Sequence, residues 1–434
     1  MLDLTPAGIE ELGEWRTGYT VLPAQASIVQ AAAGDPANAA ALATLRREAD
    51  DCLAVRAPSV LDKTMVPASG DRRDFVSLSV YCWPVEGWVK PHTYRTRDGH
   101  PNPERWGSEY DIQAYDLMKY LVQTLCYGYA ATGDERYAAK AGEVLRTWFT
   151  DPRTAMNPNF KYAQYIPGHL CFDTVFPAMY VPGAGGSGET AHFSALRGGV
   201  YVSAGGVIEC SRLITIPDCA ELLAGSRHWT ADDDADLRMW FGALFDWLRT
   251  STLGHWESYA PANHGSWYWA YCARFAEFTG RTAEATAILR ERFPQRIRDQ
   301  IDADGRVEDV RRSRSFTYGV FTVTSFVNAA LIGDRLGVDL WHHLEGGVAK
   351  IPQAIDWLAS RLLSGEPWPH PNIDGLRYEQ AAPLLAIAAR RLGRQDYAEY
   401  LARMPDYAAD HRWRFVYPGV GQFVAAASGS LIRT

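Results

Sequence analysis

The chain has 434 residues, is 47% hydrophobic and 12% aromatic, and carries a formal net charge of −8. That apolar content excludes a disordered chain, and the acidic balance gives no sign of the basic face a nucleic-acid partner requires. A local basic site for an anion is still compatible with it.

The opening MLDLTPAGIEELGEW has no charged stretch followed by an apolar one, so no signal peptide is expected. A secreted or periplasmic location would require a leader removed from this chain; otherwise the expectation is cytoplasmic. No uninterrupted apolar run of about 18 residues occurs, so neither a transmembrane helix nor a membrane partner is expected.

Residues 67–106 lack helical rhythm but hold many aromatic side chains, as a functional loop does and a flexible linker does not. Residues 116–149 then read as a helical hairpin. Apolar positions recur every three or four residues up to Ala131, Gly133 fits the position past a helix end, and Asp134 can cap the next helix. Residues 152–206, rich in Gly, Pro and Asn, again lack helical rhythm. Further hairpins are expected over 266–293 with Gly280 as the stop, more loosely over 325–341, and over 379–404 with Gly393. Such hairpins bury one helix and half-expose the other. Their irregular spacing and the long loops between them favour an all-α, (α/α)-toroid fold in which loops at the helix ends build one cleft. One domain spanning 1–434 is expected.

The seven cysteines are widely spaced and form no CxxC or Cys/His pattern, so no zinc site is expected and most should be buried thiols, with a disulfide or two left open. No Asp-rich calcium loop is present.

Four places concentrate polar and aromatic groups. They are PANHGSWY, with Asn263, His264, Trp267 and Tyr268; RRSRSFTYGVF, with Arg311, Arg312, Arg314 and Tyr318; MNPNFKYAQYIPG, with Asn157, Asn159, Lys161, Tyr162, Gln164 and Tyr165; and SGDRRDFVSLSVYCWP, with Arg72, Arg73, Tyr81 and Trp83. Taken singly, each has an ordinary structural reading: a helix cap beside a packed histidine, a solvated basic run, a core tyrosine, packed loop aromatics.

Their combination and order resemble the alginate lyase superfamily of polysaccharide lyases, from about Ala68 to Trp368. PASGDRRDFVSLSVYCWP is similar to that family's S-G-D-[KR]-x-D-[YF] stretch ending in Trp-Pro. NPNFKYAQYIPG is similar to N-P-N-x-x-Y-A-Q-x-I-P-G, NHGSWY to N-H-[GS]-[ST]-W-Y, RRSRSFTYGVF to E-L-x-R-T-x-S-x-x-Y, and GEPWPH to a closing P-W-P segment. The resemblance implies a toroid of about six or seven helical hairpins. It also implies β-elimination on a β-1,4-linked polyuronate, glucuronan or polymannuronate, with an acidic polysaccharide as partner and no cofactor.

That chemistry removes a weakly acidic proton at C5, beside the uronate carboxylate. Neutralising the carboxylate stabilises the charge that develops, and the resemblance places Asn263, His264 and an arginine there. Alignment on Tyr318 favours Arg312, with Arg314 an additional cation at a neighbouring subsite. Tyr318 is the expected base for C5 and acid for O4, which lie on one face of mannuronate and glucuronate. A phenol titrates near about 10, and an adjacent guanidinium is expected to bring it closer to working pH. L-guluronate would need a base on the other face, for which His264 is the candidate. Gln164, Tyr162, Tyr165, Asn159, Arg72, Tyr81, Trp83, Trp267 and Tyr268 are expected to line the substrate cleft. The loop 183–206 departs from the family pattern and is expected to form one wall of it. Two other functions would fit a toroid. A glycoside hydrolase needs two carboxylates facing one bond; Asp71, Asp74, Glu104 and Glu109 are available but form no evident pair. A non-catalytic polysaccharide-binding protein would lack a positioned base.

Overall fold

The computed structural model describes Thr5 and residues 26–84, 94–165, 204–373 and 375–403. In chain order the helices are α1 (Ala26–Ala33), α2 (Ala39–Leu53), α3 (Ile112–Thr132), α4 (Glu135–Leu145), α5 (Ile216–Leu222), α6 (Ala231–Thr250) and α7 (Thr252–Tyr259). They continue as α8 (Ala262–Phe278), α9 (Thr282–Glu291), α10 (Phe293–Gln300), α11 (Ser315–Leu336), α12 (Lys350–Ser364), α13 (Ala382–Leu392) and α14 (Gln395–Arg403). The fold is all-α and toroidal, with helices α3, α8 and α11 the most deeply buried. One contiguous apolar core runs from Val29 to Leu401.

The hairpins form where the stop signals stand. α3 ends at Gly133, whose φ of 71° lets its N–H turn back to the Tyr129 carbonyl at 2.7 Å, a left-handed conformation that costs glycine no Cβ clash. Asp134 then caps α4 by accepting the Arg136 N–H at 2.9 Å. α3 is buried almost throughout, whereas α4 buries one face. α8 and α9 repeat the pattern, as do α13 and α14. α11 packs against α8, and α12 against α11.

The looser hairpin expected over 325–341 is not one. α11 runs unbroken through Gly333 and stops at Gly337, where φ is 68°. Gly333 is there for close approach instead: a Cβ would run into the Val338 carbonyl. By length and apolar content α11 could cross a membrane, but 83% of its most apolar window is buried inside the fold, as expected for the central helix of a toroid.

The two segments without helical rhythm hold short strands. β1 (Val76–Leu78) pairs in parallel with β4 (Tyr162–Tyr165), and β2 (Cys82–Pro84) pairs antiparallel with β3 (Tyr94–Thr96). A third small pair, β5 (Leu344–Glu345) with β6 (Val348–Ala349), precedes α12. Most of the glycine-rich loop expected to wall the cleft lies outside the described residues. Its last residue, Gly206, is described. A Cβ there would collide with the Ala163 carbonyl, so glycine lets the 3₁₀ turn 204–213 press against β4. Cys52, Cys82, Cys126, Cys210, Cys219 and Cys272 are buried; Cys171 lies outside the described residues.

Candidate active site

Two of the polar stretches brace one another. Asp74 accepts hydrogen bonds from the Ser69 hydroxyl at 2.7 Å and from the amides of Asn157 and Asn159 at 2.8 and 3.1 Å. Asn157 also reaches Asp71 at 3.0 Å. The loops flanking β1 and β4 are thereby locked together, and Tyr81 follows β1 at a fixed place.

The Tyr81 hydroxyl lies 2.6 Å from the hydroxyl of Tyr318, in the first turn of α11. Arg312 Nη2 donates to the same Tyr318 oxygen at 3.0 Å, and its Cζ stands 3.9 Å from the Tyr318 ring centroid. Arg312 is itself pinned. The Asp98 carboxylate takes its Nε at 3.1 and 3.2 Å, takes its Nη2 as well, and accepts the Ser313 N–H and hydroxyl at 3.2 and 2.8 Å. Gly99, at a φ of 76°, permits that approach, since a Cβ would strike the Ser313 hydroxyl. Burial pushes the Tyr318 phenol up; Arg312 and the Tyr81 hydroxyl pull it down without reversing the shift. The expectation that a neighbouring guanidinium would bring the phenolate toward working pH is therefore corrected. Desolvation exceeds the attraction, and Asp98 already balances the Arg312 charge. Tyr81 is pushed well above its ordinary value by burial and by Tyr318, so it keeps its proton and is able to donate to a Tyr318 phenolate.

The other half stands at the start of α8. Ala262 adopts a φ of 54°, unusual for a residue with a Cβ. Asn263 follows, 2% exposed. Its backbone N–H and side-chain Nδ2 both donate to Asp309, at 3.0 and 2.8 Å, and the Thr322 hydroxyl joins the same carboxylate at 2.7 Å. Asp309 thus ties α8 to α11. It also occupies the Asn263 N–H, so the helix start is less open to an anion than the sequence suggests. His264 Nδ1 sits 2.8 Å from Glu257 Oε1, a carboxylate 1% exposed at the end of α7. Burial opposes charge on His264, but Glu257 outweighs it, and the imidazole is raised above its usual 6.5. The charges of Arg312 and Asp309 act on His264 as well, which joins the two halves in one site. Among the described residues, no group of three or more His, Cys, Asp or Glu side chains could hold a metal ion.

The site holds an imidazole whose protonation Glu257 favours and a phenol oxygen held between Tyr81 and Arg312. The sequence model of the family described as alginate lyase matches residues 59–368. The chain belongs to the alginate lyase family. It is a polysaccharide lyase acting on alginate-like polymers. A solved alginate lyase from Bacteroides ovatus is similar over 92% of this chain and 99% of its own, with 27% identity and a TM-score of 0.79. Alginate lyase A1-III from Sphingomonas species A1 is 13% identical over 81% of this chain and 87% of its own, with a TM-score of 0.44. No curated protein matches the chain.

The other expected cleft residues of this lyase make contacts within the fold. Trp267 is fully buried, stacks on Phe321 with centroids 4.7 Å apart, and donates to the Phe321 carbonyl. Tyr268 is 1% exposed and donates to the Leu248 carbonyl at 2.8 Å. Both are buried on α8, and Tyr268 also borders the cavity beside Pro261 and Ala262. The Arg72 guanidinium is engaged by the carbonyls of Leu61 and Lys63. Asn159 braces Asp74, and Tyr162 packs with Val76, Leu78 and Tyr110. Tyr165 is half-buried against that cluster. Gln164, at a φ of 51°, reaches Glu209 at 3.4 Å, and Glu209 is held by Arg105 and Arg212. Trp83 is half-buried, with its indole N–H on the His100 carbonyl and Arg97 5.0 Å from its ring. Arg314 stays close to the site: its carbonyl accepts the Tyr318 N–H at 3.0 Å, and its charge acts on Tyr81.

Tyr268→Phe should cost about 1 kcal/mol in denaturant unfolding, the worth of one hydrogen bond, with KM for a trisaccharide unchanged. A raised KM at unchanged stability would return Tyr268 to the cleft.

Sequence reasoning did not find Asp98, Glu257 or Asp309, the three carboxylates that hold Arg312, His264 and Asn263. Asp98 and Glu257 carry no motif, whereas Asp309, three residues before Arg312, stands where the E-L-x-R pattern has its Glu.

Proposed function

We propose that this lyase cleaves a β-1,4-linked polyuronate, glucuronan or polymannuronate, by β-elimination at C5 and C4. Tyr318 takes the C5 proton and returns a proton to the leaving O4. His264, charged against Glu257, and the amide of Asn263 receive the uronate carboxylate. Arg312 contributes chiefly at the Tyr318 oxygen, where it stabilises the phenolate, because Asp98 already balances part of its charge. Arg314 is the nearby cation for a neighbouring sugar. The observation that carries this reading is the Tyr318 hydroxyl, held at 2.6 Å by Tyr81 and at 3.0 Å by Arg312. A donor on each side stabilises an oxygen that must become negative.

A retaining or inverting hydrolase is less compatible with the arrangement. It needs one carboxyl to act as acid and a second carboxylate as base or nucleophile. Here Asp98, Glu257 and Asp309 are each engaged by a cation, an imidazole or an amide. Mannuronan, guluronan, glucuronan and hyaluronan presented side by side should separate the substrates. Ultraviolet absorbance of the unsaturated uronate should rise with mannuronan or glucuronan and stay flat with guluronan. Preference for guluronan would overturn the one-face mechanism, because its C5 hydrogen lies on the opposite face.

A further inference from the structure

A cavity of about 380 Å³ opens beside the turn that leads into Asn263, with Pro261 and Ala262 in its wall. Nothing in the elimination uses it. Its far side is lined by Trp269 and by residues of α10 and the preceding turn. The guanidinium groups of Arg249 and Arg292 each lie 4.9 Å from the Trp269 ring centroid. Both arginines are exposed, and among the described residues neither makes an ion pair with a carboxylate. Arg296 is different: it donates to the carbonyls of Ala260 and Ser258 at 2.7 and 2.6 Å, and so fixes the shape of the wall.

The second observation is Gln300. It lines the same cavity, is only 5% exposed, and among the described residues neither its Nε2 nor its Oε1 has a hydrogen-bond partner. Buried amides are nearly always satisfied, and a donor and acceptor side by side suit a pair of sugar hydroxyls. Tyr259, 65% exposed, offers at the rim an aromatic face of the kind on which the apolar face of a pyranose packs. Asp299 and Glu308 also line the cavity. Their charges discriminate against a bare small anion and leave recognition to a ligand that combines one carboxylate with hydroxyls.

We infer that this cavity is a second saccharide site, binding a uronate residue of the polymer outside the catalytic centre. Arg249 and Arg292 receive the carboxylate, Gln300 the hydroxyls, and Tyr259 the ring face. The inference rests on the polyuronate reading above. A chain held here as well as at Tyr318 gains affinity by double attachment, so long polymers benefit and short fragments do not.

The test is calorimetric binding of mannuronan and glucuronan to the Tyr318→Phe chain, with and without Arg249→Ala and Arg292→Ala. Both arginines are exposed, and unfolding by heat checks that the fold is kept. The double substitution should weaken polymer binding about tenfold and leave a trisaccharide unaffected. Gln300→Leu should weaken the polymer in the same direction. Equal polymer affinity with and without the arginines would overturn the inference. So would equal losses for polymer and trisaccharide, equal losses for carboxyl-reduced polymer, or no binding of either polyuronate. Cleavage of the same polymers by the unsubstituted chain is read separately. A chain that cleaves them normally while the arginine variants bind them normally refutes this site and leaves the catalytic reading intact.

Discussion

Tyr318→Phe is expected to lower turnover by at least about a thousandfold, the scale of losing a positioned acid and base together. The substitution removes one oxygen. The ring remains against the Arg312 guanidinium 3.9 Å away, and α11 keeps its start, because the Tyr318 N–H still bonds to the Arg314 carbonyl. Thermal unfolding should therefore change little, and polymer should still bind. What disappears is the oxygen held by Tyr81 and Arg312. The test is formation of unsaturated uronate, followed by ultraviolet absorbance at saturating polymer. Retained activity would remove Tyr318 from the mechanism, and His264 would become the base to test next. Tyr81→Phe offers an internal comparison: it takes one donor from the phenolate but leaves the base, so its loss should be smaller.

The raised Tyr318 value has a kinetic consequence. A phenol above about 10 is ionised to roughly one part in a thousand or less at neutral pH. Turnover then draws on a minor ionisation state, and the donors around Tyr318 set how minor it is. Asp98 matters here although it touches neither Tyr318 nor, in the proposed mechanism, the sugar. By taking Arg312 Nε and Nη2 it fixes the guanidinium over the phenol ring.

The legible parts of this protein were those encoded locally. Gly133 followed by Asp134 announces the end of one helix and the cap of the next within two residues, and the α3–α4 hairpin follows from them. The looser hairpin expected over 325–341 fails by contrast, since a glycine can stop a helix or admit a neighbouring carbonyl, and at Gly333 only the position of Val338 decides. Tyr318 and Arg312 were legible because a motif joins them across one turn. Asp98 reaches Arg312 across 214 residues and Asp309 reaches Asn263 across 46, and no spacing rule announces such pairs. Glu257 is only seven residues from His264, but the end of α7 and the turn through Ala262 lie between them. Trp267 and Tyr268 belong to the same motif as Asn263 and His264, yet their polar atoms are bonded to the Phe321 and Leu248 carbonyls, contacts the motif does not announce.

Glu257→Gln should reshape the pH profile in a way that a merely structural residue would not. His264 begins near 6.5 in the unfolded chain and is raised in the fold, with burial opposing the charge and Glu257 outweighing it. The stability gained from this pair is fully present below 6.5 and is lost as pH rises through the higher folded value. In the proposed mechanism catalysis needs His264 protonated and Tyr318 ionised. Below both values the rate climbs with the phenolate fraction. Between them it is level, because each gain in phenolate is cancelled by a loss of imidazolium. Without the Glu257 carboxylate, burial and the Arg312 charge oppose the imidazolium with only Asp309 left to favour it, and His264 falls relative to the native protein. The acidic break should then move down by the same amount, and the level region should fall about tenfold or more. Rates below the new break should be unchanged. Measuring kcat/KM from acid to alkaline pH checks all three features together. A uniform loss at every pH would show that Glu257 only shapes the loop. An unmoved break would show that the break does not belong to His264, and the charged imidazole would be removed from the mechanism.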